Sequence, residues 1–259
     1  MKVVTWNVNG IRARQTELAR LLDDEQPDVV CLQEIKAASD KVPELVVAAG
    51  GYWCYWHGAT GYSGVALLIR HSFFTTRPAF THPAFDHEQR IVVADLDSCV
   101  VASVYVPNGG KDYEAKTRFL TALAAWSAET TRAGRTLLIC GDLNVAREER
   151  DVHPKERKAN QIGTRPDERT LFAELLATGL TDVGRALDPD NDALFTWWPP
   201  WRQLRQRNIG WRIDYLLAGE GLAARARTAV SRREFGTSDH APVVATFETA
   251  SGAAPTPQP

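Results

Sequence analysis

The sequence predicts a mixed α/β protein in which two packed sheets are covered by helices. Early in the chain, short β-rich apolar runs alternate with helical stretches, and consecutive strand-like runs follow later. This order of elements is typical of sheets that pack on each other and on helices. A chain of 259 residues, of which 44% are hydrophobic, is long enough to bury such a core.

Strands are expected wherever apolar and β-branched runs are bounded by polar or turn-forming residues. Asp97 and Ser98 lie between two such runs and predict a tight hairpin turn. The expected strands cover residues 2–6, 28–33, 52–57, 64–70, 90–96, 99–106, 136–141, 194–198, 213–218 and 242–248.

Helices are expected where apolar residues recur at helical spacing. Leu18, Leu21 and Leu22 share one face of the first helix, and Gly179 is the kind of residue that ends a helix such as the last one. The expected helices cover residues 12–24, 40–49, 112–131 and 167–178.

No linker divides the chain, so residues 1–249 are expected to form a single domain. Residues 146–166 are polar and basic, which predicts a long surface loop. Residues 250–259 are rich in proline and alanine, and we expect them to form a disordered tail.

Composition excludes several classes of protein. No apolar stretch is long enough to span a bilayer, and no signal-peptide pattern opens the chain. The formal net charge of −2 neither indicates nor excludes a nucleic-acid partner. The cysteines lack metal-ligand spacing and mostly lie in apolar runs, so we expect buried, reduced thiols in a cytoplasmic protein. They are Cys31, Cys54, Cys99 and Cys140.

Polar side chains follow several of the expected strands at the point where each strand begins or ends. Carboxylates, amides and one imidazole gathered at strand ends suit a hard-metal site that cleaves a phosphate ester. The residues in question are Asn7, Asn9, Glu34, Asp142, Asn144, Asp214, Asp239 and His240.

Two parts of this pattern are more specific than the rest. Asp142 and Asn144 follow Gly141 at alternate positions, which aims both side chains in one direction. If Asp214 and His240 lie on neighbouring strands, a hydrogen bond between them would favour the protonated imidazole. Such a histidine can face a phosphate oxygen while Asp142 activates water.

Plainer interpretations exist for each residue. Glu34 taken alone could be an ordinary surface acid, and Asn144 an ordinary turn residue. No cysteine or histidine cluster is spaced for zinc, and no glycine-rich phosphate loop is present. Ser63, in a sequence close to a serine-hydrolase motif, has no base partner implied by its context.

Seven motifs together resemble the exonuclease III branch of the apurinic/apyrimidinic endonucleases, within the endonuclease–exonuclease–phosphatase superfamily. They occur in family order and cover nearly the whole chain. They are Trp6-Asn-Val-Asn-Gly-Ile-Arg-Ala-Arg14, Leu32-Gln-Glu-Ile-Lys36, Gly61-Tyr-Ser-Gly-Val-Ala-Leu-Leu68, Tyr105-Val-Pro-Asn-Gly109, Gly141-Asp-Leu-Asn-Val-Ala146, Gly210-Trp-Arg-Ile-Asp-Tyr215 and Ser238-Asp-His-Ala-Pro-Val243.

The resemblance implies a four-layer α/β sandwich, with two packed mixed β-sheets flanked by helices, and a Mg²⁺ site in which Mn²⁺ can substitute. Glu34 is the implied principal ligand. The implied metal-site residues are Glu34, Asn7, Asn9, Asp142, Asn144, Asp239 and His240.

The resemblance also implies catalytic roles. Asp142 would activate water, Tyr105 and Asn144 would bind the scissile phosphate, and His240 paired with Asp214 would stabilise developing negative charge. Tyr105 could instead be a core tyrosine, and Asp214 could merely brace a strand.

DNA contacts are implied by the tryptophan- and arginine-rich tract and by basic residues near the motifs. Trp197 and Trp211 would wall a pocket for an extruded abasic sugar, whereas Trp198 is expected in the core. The remaining expected contacts are Arg12, Lys36, Asn108, Lys111 and Arg212. The tract 199–208 and the loop 105–114 depart from the family pattern.

The expected function is that of a magnesium-dependent DNA repair phosphodiesterase that cleaves 5′ to abasic sites and removes 3′ nucleotides or 3′ blocking groups. Its partner would be double-stranded DNA, and the protein is expected to be a monomer with no membrane or obligate protein partner. The alternatives are a catalytically weak nucleic-acid-binding regulator on the same fold and a phosphatase of the same superfamily.

Overall fold

The computed structural model describes residues 1–59 and 61–249. The strands are β1 (Lys2–Asn7), β2 (Val29–Gln33), β3 (Tyr52–His57), β4 (Val65–Arg70), β5 (Ala79–Thr81), β6 (Ile91–Asp95), β7 (Val100–Tyr105), β8 (Leu137–Asp142), β9 (Leu180–Asp182), β10 (Asp214–Gly219), β11 (Ala226–Ser231) and β12 (Val243–Phe247). The helices are α1 (Ile11–Glu25), α2 (Glu44–Val47), α3 (Tyr113–Arg132), α4 (Pro166–Ala177), α5 (Val183–Leu187) and α6 (Glu220–Ala223).

The strands form two six-stranded mixed sheets. The first sheet has the order β11-β12-β1-β2-β4-β3, and the second has the order β5-β6-β7-β8-β10-β9. The parallel pairs are β1 with β2 and β7 with β8, and the other neighbours run antiparallel.

Three apolar cores hold the layers together. The inner faces of both sheets share one core, to which Cys31 and Leu138 contribute. A second core lies between the first sheet and α1, through Leu18 and its neighbours. A third lies between the second sheet and helices α3 and α4, which supply Phe119 and Phe172. The predicted four-layer sandwich is therefore confirmed.

Most of the predicted elements occur within a residue or two of their expected ends, but two were wrong. Residues 194–198 form only isolated bridges, from Trp197 to Trp211 and His240, because two prolines follow and end the pairing. The helix expected over 40–49 is reduced to a short 3₁₀ turn and α2, since Pro43 interrupts it. Strands β5, β9 and β11 were missed because they are short or largely polar.

The remaining predictions have mixed outcomes. Residues 146–166 form a loop with two 3₁₀ turns, although Asp151 within it is buried. All four cysteines are free. Among the described residues, no helix has the length and apolarity needed to cross a membrane. The boundary at 249 and the tail 250–259 stay predictions, because the tail lies outside the described residues.

Candidate active site

A cleft of about 320 Å³ opens at the edge of the sandwich where β1, β7 and β8 end and β10 begins. Most of the predicted catalytic residues line it, together with two tryptophans. The lining residues are Glu34, Tyr105, Asn108, Asp142, Asn144, Gln161, Ile162, Gly163, Trp197, Trp211, Ile213, Asp239 and His240.

Three of the predicted residues form a row across neighbouring strands of the second sheet. Tyr105 pairs with Asp142 between β7 and β8, and Asp142 pairs with Asp214 between β8 and β10. Side chains at paired positions point to the same face of a sheet. The register of the sheet therefore places all three side chains on one side.

Asn7, the last residue of β1, connects the two sheets at the cleft. Its Nδ2 donates to Glu34 Oε1 at 2.9 Å and to Asp142 Oδ2 at 3.0 Å. Its Oδ1 accepts a hydrogen bond from the backbone N of Asn9 at 3.0 Å. The amide nitrogen of Asn7 therefore orients the two carboxylates. Because the amide oxygen accepts a hydrogen bond from its own loop, this placement does not support the expected role of Asn7 as a metal ligand.

The Glu34 carboxylate has a counter-charge beside it. Lys36 Nζ lies 2.7 Å from Glu34 Oε2 and donates to Asn9 Oδ1 at 2.6 Å. Although burial opposes the change, the hydrogen bonds from Asn7 and Lys36 lower the pKa of Glu34. Lys36, which was expected to contact DNA, therefore binds Glu34 and Asn9 on the metal side of the cleft. Part of its side chain stays exposed.

The backbone at the cleft is held in unusual conformations. Glu34, Lys36, Asn9 and Asn144 all have φ between +45° and +52°. This left-handed region is uncommon for residues other than glycine and asparagine, and such conformations cost about 1–3 kcal/mol each. Their clustering at one edge of the sandwich is typical of a functional site.

Gly141 explains how Asp142 reaches its position. A Cβ atom at Gly141 would lie 1.8 Å from the carbonyl oxygen of Val104 on the adjacent strand. Glycine is required there because the neighbouring backbone approaches closely.

Asp142 is almost completely buried, and burial is the main reason why its pKa rises to about 7. The protonated His240 opposes this rise in pKa, while the nearby carboxylates of Asp214 and Glu34 add to it. A carboxylate with a pKa near neutrality can exchange a proton with water at physiological pH. The environment therefore suits Asp142 to act as a base.

His240 is paired with Asp214 as predicted, but across the two sheets. Nδ1 of His240 lies 2.9 Å from Asp214 Oδ2, and Thr196 Oγ1 donates to the same oxygen at 2.6 Å. Burial alone would lower the pKa of His240, but the Asp214 carboxylate raises it to about 10. Nε2 of the charged ring lies 3.8 Å from Asp142 Oδ2, at the cleft.

Tyr105 is 7% exposed, and its ring lies 4.8 Å from the guanidinium carbon of buried Arg90. Burial, chiefly, together with the charges of Glu34 and Asp142, raises its pKa well above the ordinary value for tyrosine. The hydroxyl therefore stays protonated and remains a hydrogen-bond donor.

The residues fit a metal ion. One ligand atom from each of Glu34, Asp142 and His240 lies within 4.8 Å of the others. Two carboxylates are suitable ligands for a hard divalent cation, which would offset the mutual repulsion of the acidic groups. His240 Nδ1 is bonded to Asp214 while Nε2 faces the site 3.8 Å from Asp142 Oδ2, and its expected role as a metal ligand stays a prediction.

Two tryptophans form one wall of the cleft. The rings of Trp197 and Trp211 meet edge to face with centroids 5.9 Å apart. Trp197 Nε1 donates to Asp239 Oδ2 at 3.0 Å, and Asn9 Nδ2 donates to Asp239 Oδ1 at 2.8 Å. Asp239 thus joins the aromatic wall to the metal side. Trp198 is buried, as expected.

The expected DNA contacts have different placements. Asn108 lines the cleft, and Arg12 and Lys111 are exposed. Nζ of Lys111 lies 5.6 Å from the ring centre of Tyr62. All three side chains are exposed, and their contacts with DNA stay predictions.

Arg212 was wrongly predicted as a DNA contact. Its side chain is buried and bonded at 2.8 Å and 3.0 Å to the two Asp151 carboxylate oxygens and at 2.9 Å to Asp182. Buried charges need partners, and the guanidinium has found them. Arg212 therefore fixes the loop 146–166 to β9 and the start of β10.

Several site residues were missed by the sequence analysis. Gln161 and Gly163 line the cleft from the loop 146–166, and a Cβ at Gly163 would lie 3.0 Å from the Trp211 ring. Thr196 holds Asp214. Polar loop residues without a regular spacing carry no local signal, although Gly163 could have indicated a close approach.

Comparison with known proteins identifies the family. The model of the Endonuclease/Exonuclease/phosphatase family matches residues 4–240. The chain is 32% identical to the exodeoxyribonuclease of Bacillus subtilis (strain 168), with 94% of this chain and 98% of that protein covered. It is 34% identical to the DNA repair nuclease APEX1 of Danio rerio, with 94% and 81% covered.

A solved structure gives the same result. The structure of the 3′ phosphatase NExo from Neisseria bound to product DNA hairpin superposes with a TM-score of 0.87 at 32% identity, covering 96% of this chain and 100% of that chain. The resemblance inferred from the motifs is confirmed. The chain belongs to the endonuclease/exonuclease/phosphatase family.

Proposed function

We propose that this protein is a magnesium-dependent DNA repair phosphodiesterase that cleaves 5′ to abasic sites and removes 3′ nucleotides or 3′ blocking groups. The observation that carries the proposal is the cluster of Glu34, Asp142 and His240 at a cleft walled by Trp197 and Trp211. The DNA repair and nuclease activities named for its relatives support it.

Glu34 would be the principal ligand of the Mg²⁺ ion, for which Mn²⁺ can substitute, and the bound ion would neutralise charge on the scissile phosphate. Asp142 accepts a proton from the attacking water, for which its raised pKa is suitable. The protonated His240 and the hydroxyl of Tyr105 face the phosphate and stabilise the charge that develops on its oxygens. Asn144 lies beside Asp142 to help position the phosphate.

The aromatic wall supports a preference for abasic DNA. A nucleotide without its base loses little stacking energy when it leaves the helix. Trp197 and Trp211 line the cleft that would receive such a sugar. We further propose that the substrate is double-stranded DNA and that the protein is a monomer located in the cytoplasm. Its four free cysteines are compatible with a reducing compartment.

The test is incision of a duplex that carries one synthetic abasic site, with Mg²⁺ and with chelator. We expect a nick 5′ to the site only with metal. Asp142→Asn should abolish incision while DNA binding survives, and Asp97→Asn, at an exposed hairpin turn, serves as the matched control. DNA binding without incision by the wild-type protein would favour the regulator instead. Release of phosphate from 3′-phosphorylated DNA without incision would favour a phosphatase.

A further inference from the structure

We propose that Arg90 is a positioning residue for Tyr105, the tyrosine that faces the scissile phosphate in the proposed function. Arg90 directly precedes β6, which pairs antiparallel with β7. The backbone N of Tyr105 donates to the carbonyl oxygen of Arg90 at 2.8 Å, which continues this pairing by one residue. Because paired side chains point to the same face of a sheet, Arg90 extends the row formed by Tyr105, Asp142 and Asp214.

The Arg90 guanidinium contacts the rings of two tyrosines. Its central carbon lies 4.8 Å from the ring centre of Tyr105 and 5.3 Å from that of Tyr62. Nη2 also donates to the Tyr62 hydroxyl at 3.0 Å. A guanidinium at this distance is attracted to the face of an aromatic ring, and the attraction is stronger where water is excluded. Arg90 is only 1% exposed, so this contact restrains the Tyr105 ring at the point where it lines the cleft.

The segment before β6 fixes the place of Arg90. Asp86 Oδ1 accepts a hydrogen bond from the backbone N of Arg90 at 2.8 Å. Glu88 Oε2 accepts from Arg90 Nε at 3.1 Å and from Nη2 at 2.7 Å. Glu88 and Gln89 have φ of +58° and +56°, a region that residues other than glycine adopt only where the surrounding structure imposes it. The backbone and the side chain of Arg90 are therefore both held in one position.

A purely structural role does not explain why a cation lies here. Nη1 of Arg90 is shielded from solvent and has no hydrogen-bond acceptor among the described residues. Its counter-ion, Glu88, is 41% exposed. A buried charge is costly unless it is well paired, and apolar side chains often fill such positions at lower cost. The cation is explained by its contact with Tyr105.

The orientation of the Tyr105 hydroxyl decides how well it can donate to a phosphate oxygen on which charge develops. A misplacement of about 1 Å can cost about 100-fold in rate. A restraint on the ring therefore acts on kcat more than on substrate binding. This inference rests on the proposed function, because the role of Arg90 is exerted through Tyr105.

The test is a double-mutant cycle on the incision of the abasic duplex with Mg²⁺. Tyr105→Phe alone should lower kcat by about 100-fold, as expected when one donor to the developing charge is lost. Arg90→Met alone should lower kcat by about 10- to 100-fold and leave KM nearly unchanged. Adding Arg90→Met to Tyr105→Phe should lower kcat by less than about 2-fold more, because the hydroxyl that Arg90 positions is already absent.

Arg185 provides the matched control. It is also a buried arginine, it donates to Asp151 Oδ1 at 2.8 Å, and it does not line the cleft. Any loss of kcat caused by Arg185→Met should multiply with the loss caused by Tyr105→Phe, since the two residues act independently. The control therefore separates a positioning role from a general effect of removing a buried arginine.

The possible results distinguish this inference from the proposed function. No incision by the wild-type protein would count against both. With an active wild type, the inference alone is overturned if the losses from Arg90→Met and Tyr105→Phe multiply, or if either single variant keeps the wild-type kcat. If Arg90→Met shows no cooperative urea transition, Arg90→Lys takes its place in the same cycle, because lysine keeps the charge but lacks the planar fork that bonds Glu88 and Tyr62.

Discussion

The side-chain amide of Asn7 joins the two sheets at the active site by donating to Asp142 Oδ2 at 3.0 Å. The same nitrogen donates to Glu34 Oε1. One neutral donor therefore sets the spacing of two carboxylates that would otherwise repel each other. Asn7 comes from the first sheet and Asp142 from the second, so the relative position of the sheets fixes the geometry of the site.

Replacement of Asn7 by Asp should lower incision of abasic DNA by about 10–100-fold, the range found when an outer partner of metal ligands is lost. A third carboxylate would raise the charge density and remove the shared donor. Steady-state kinetics across Mg²⁺ concentrations should show a weaker metal response, and DNA binding should be retained. Unchanged kinetics would show that Asn7 does not order the carboxylates.

The protonated His240 makes the stability of the metal-free protein depend on pH. Its pKa in the folded state is raised to about 10, above the ordinary value of 6.5. The stabilisation is therefore complete below about pH 6.5 and is lost as the pH rises towards 10. The pKa of Asp142 is raised from 3.8 to about 7, so folding stability also decreases as the pH rises through that lower range.

We expect the free energy of unfolding, measured with urea in chelator, to fall between about pH 6.5 and about pH 10. The His240→Asn variant should lose most of that pH dependence. An equal fall in wild type and variant would mean that His240 is not protonated by its pairing with Asp214.

Trp211→Ala should impair incision at abasic sites more than digestion of blunt ends, because the ring forms part of the wall for the flipped sugar. An expected loss of about 1–3 kcal/mol in transition-state binding corresponds to roughly 5- to 150-fold in kcat/KM. The measurement compares both substrates at one enzyme concentration. Equal losses on the two would remove the pocket role.

The sequence predicted much of the site because strand ends are easy to recognise and their side chains meet at one edge of a sheet. Asp142, Asp214 and His240 were expected near one another on this ground. The premise that Asp214 and His240 lie on neighbouring strands was wrong, since β10 and β12 belong to different sheets. Which sheets pack together depends on the burial of apolar side chains over the whole chain. A local sequence pattern carries no information about that packing.

Burial also explains the sequence-based errors. Arg212 follows Trp211 in a basic tract, and such a pattern resembles a DNA-binding surface. Its partners, Asp151 and Asp182, lie 61 and 30 residues away along the chain, so no local signal distinguishes a buried ion pair from an exposed arginine. β11 was missed because several of its residues are polar. It is held in the sheet by its pairing with β12, which no local sequence pattern reveals.

A buried ion pair behind the cleft should control stability. Lys116 and Glu168 are both fully buried and in contact. Lys116 Nζ also donates to the carbonyl oxygen of Asn144 at 2.7 Å. Lys116→Met removes the counter-charge of the buried Glu168 carboxylate, to which only the backbone N atoms of Gly163 and Arg165 would still donate, and should cost about 3–5 kcal/mol of unfolding free energy. Replacing Glu168 by Leu as well should not restore the loss, because the backbone N atoms of Gly163 and Arg165 would then lose their acceptor.

Urea denaturation measures these effects. Lys111→Met, at an exposed position in the preceding loop, is the matched control and should change stability by less than about 0.5 kcal/mol. Equal small changes in both single variants would show that the buried pair contributes little.

Arg12 and Arg212 should separate DNA binding from folding. Arg12 is exposed, so Arg12→Ala should weaken DNA binding about equally on all sequences and reduce the slope of log K against log salt by about 1. Arg212→Lys cannot reproduce the paired contacts with Asp151 and Asp182, so it should lower the unfolding free energy and leave that slope unchanged. Fluorescence anisotropy over a salt series, with urea denaturation in parallel, tests both. A reduced salt slope for Arg212→Lys in a folded protein would contradict the assignment of Arg212 as a buried structural residue.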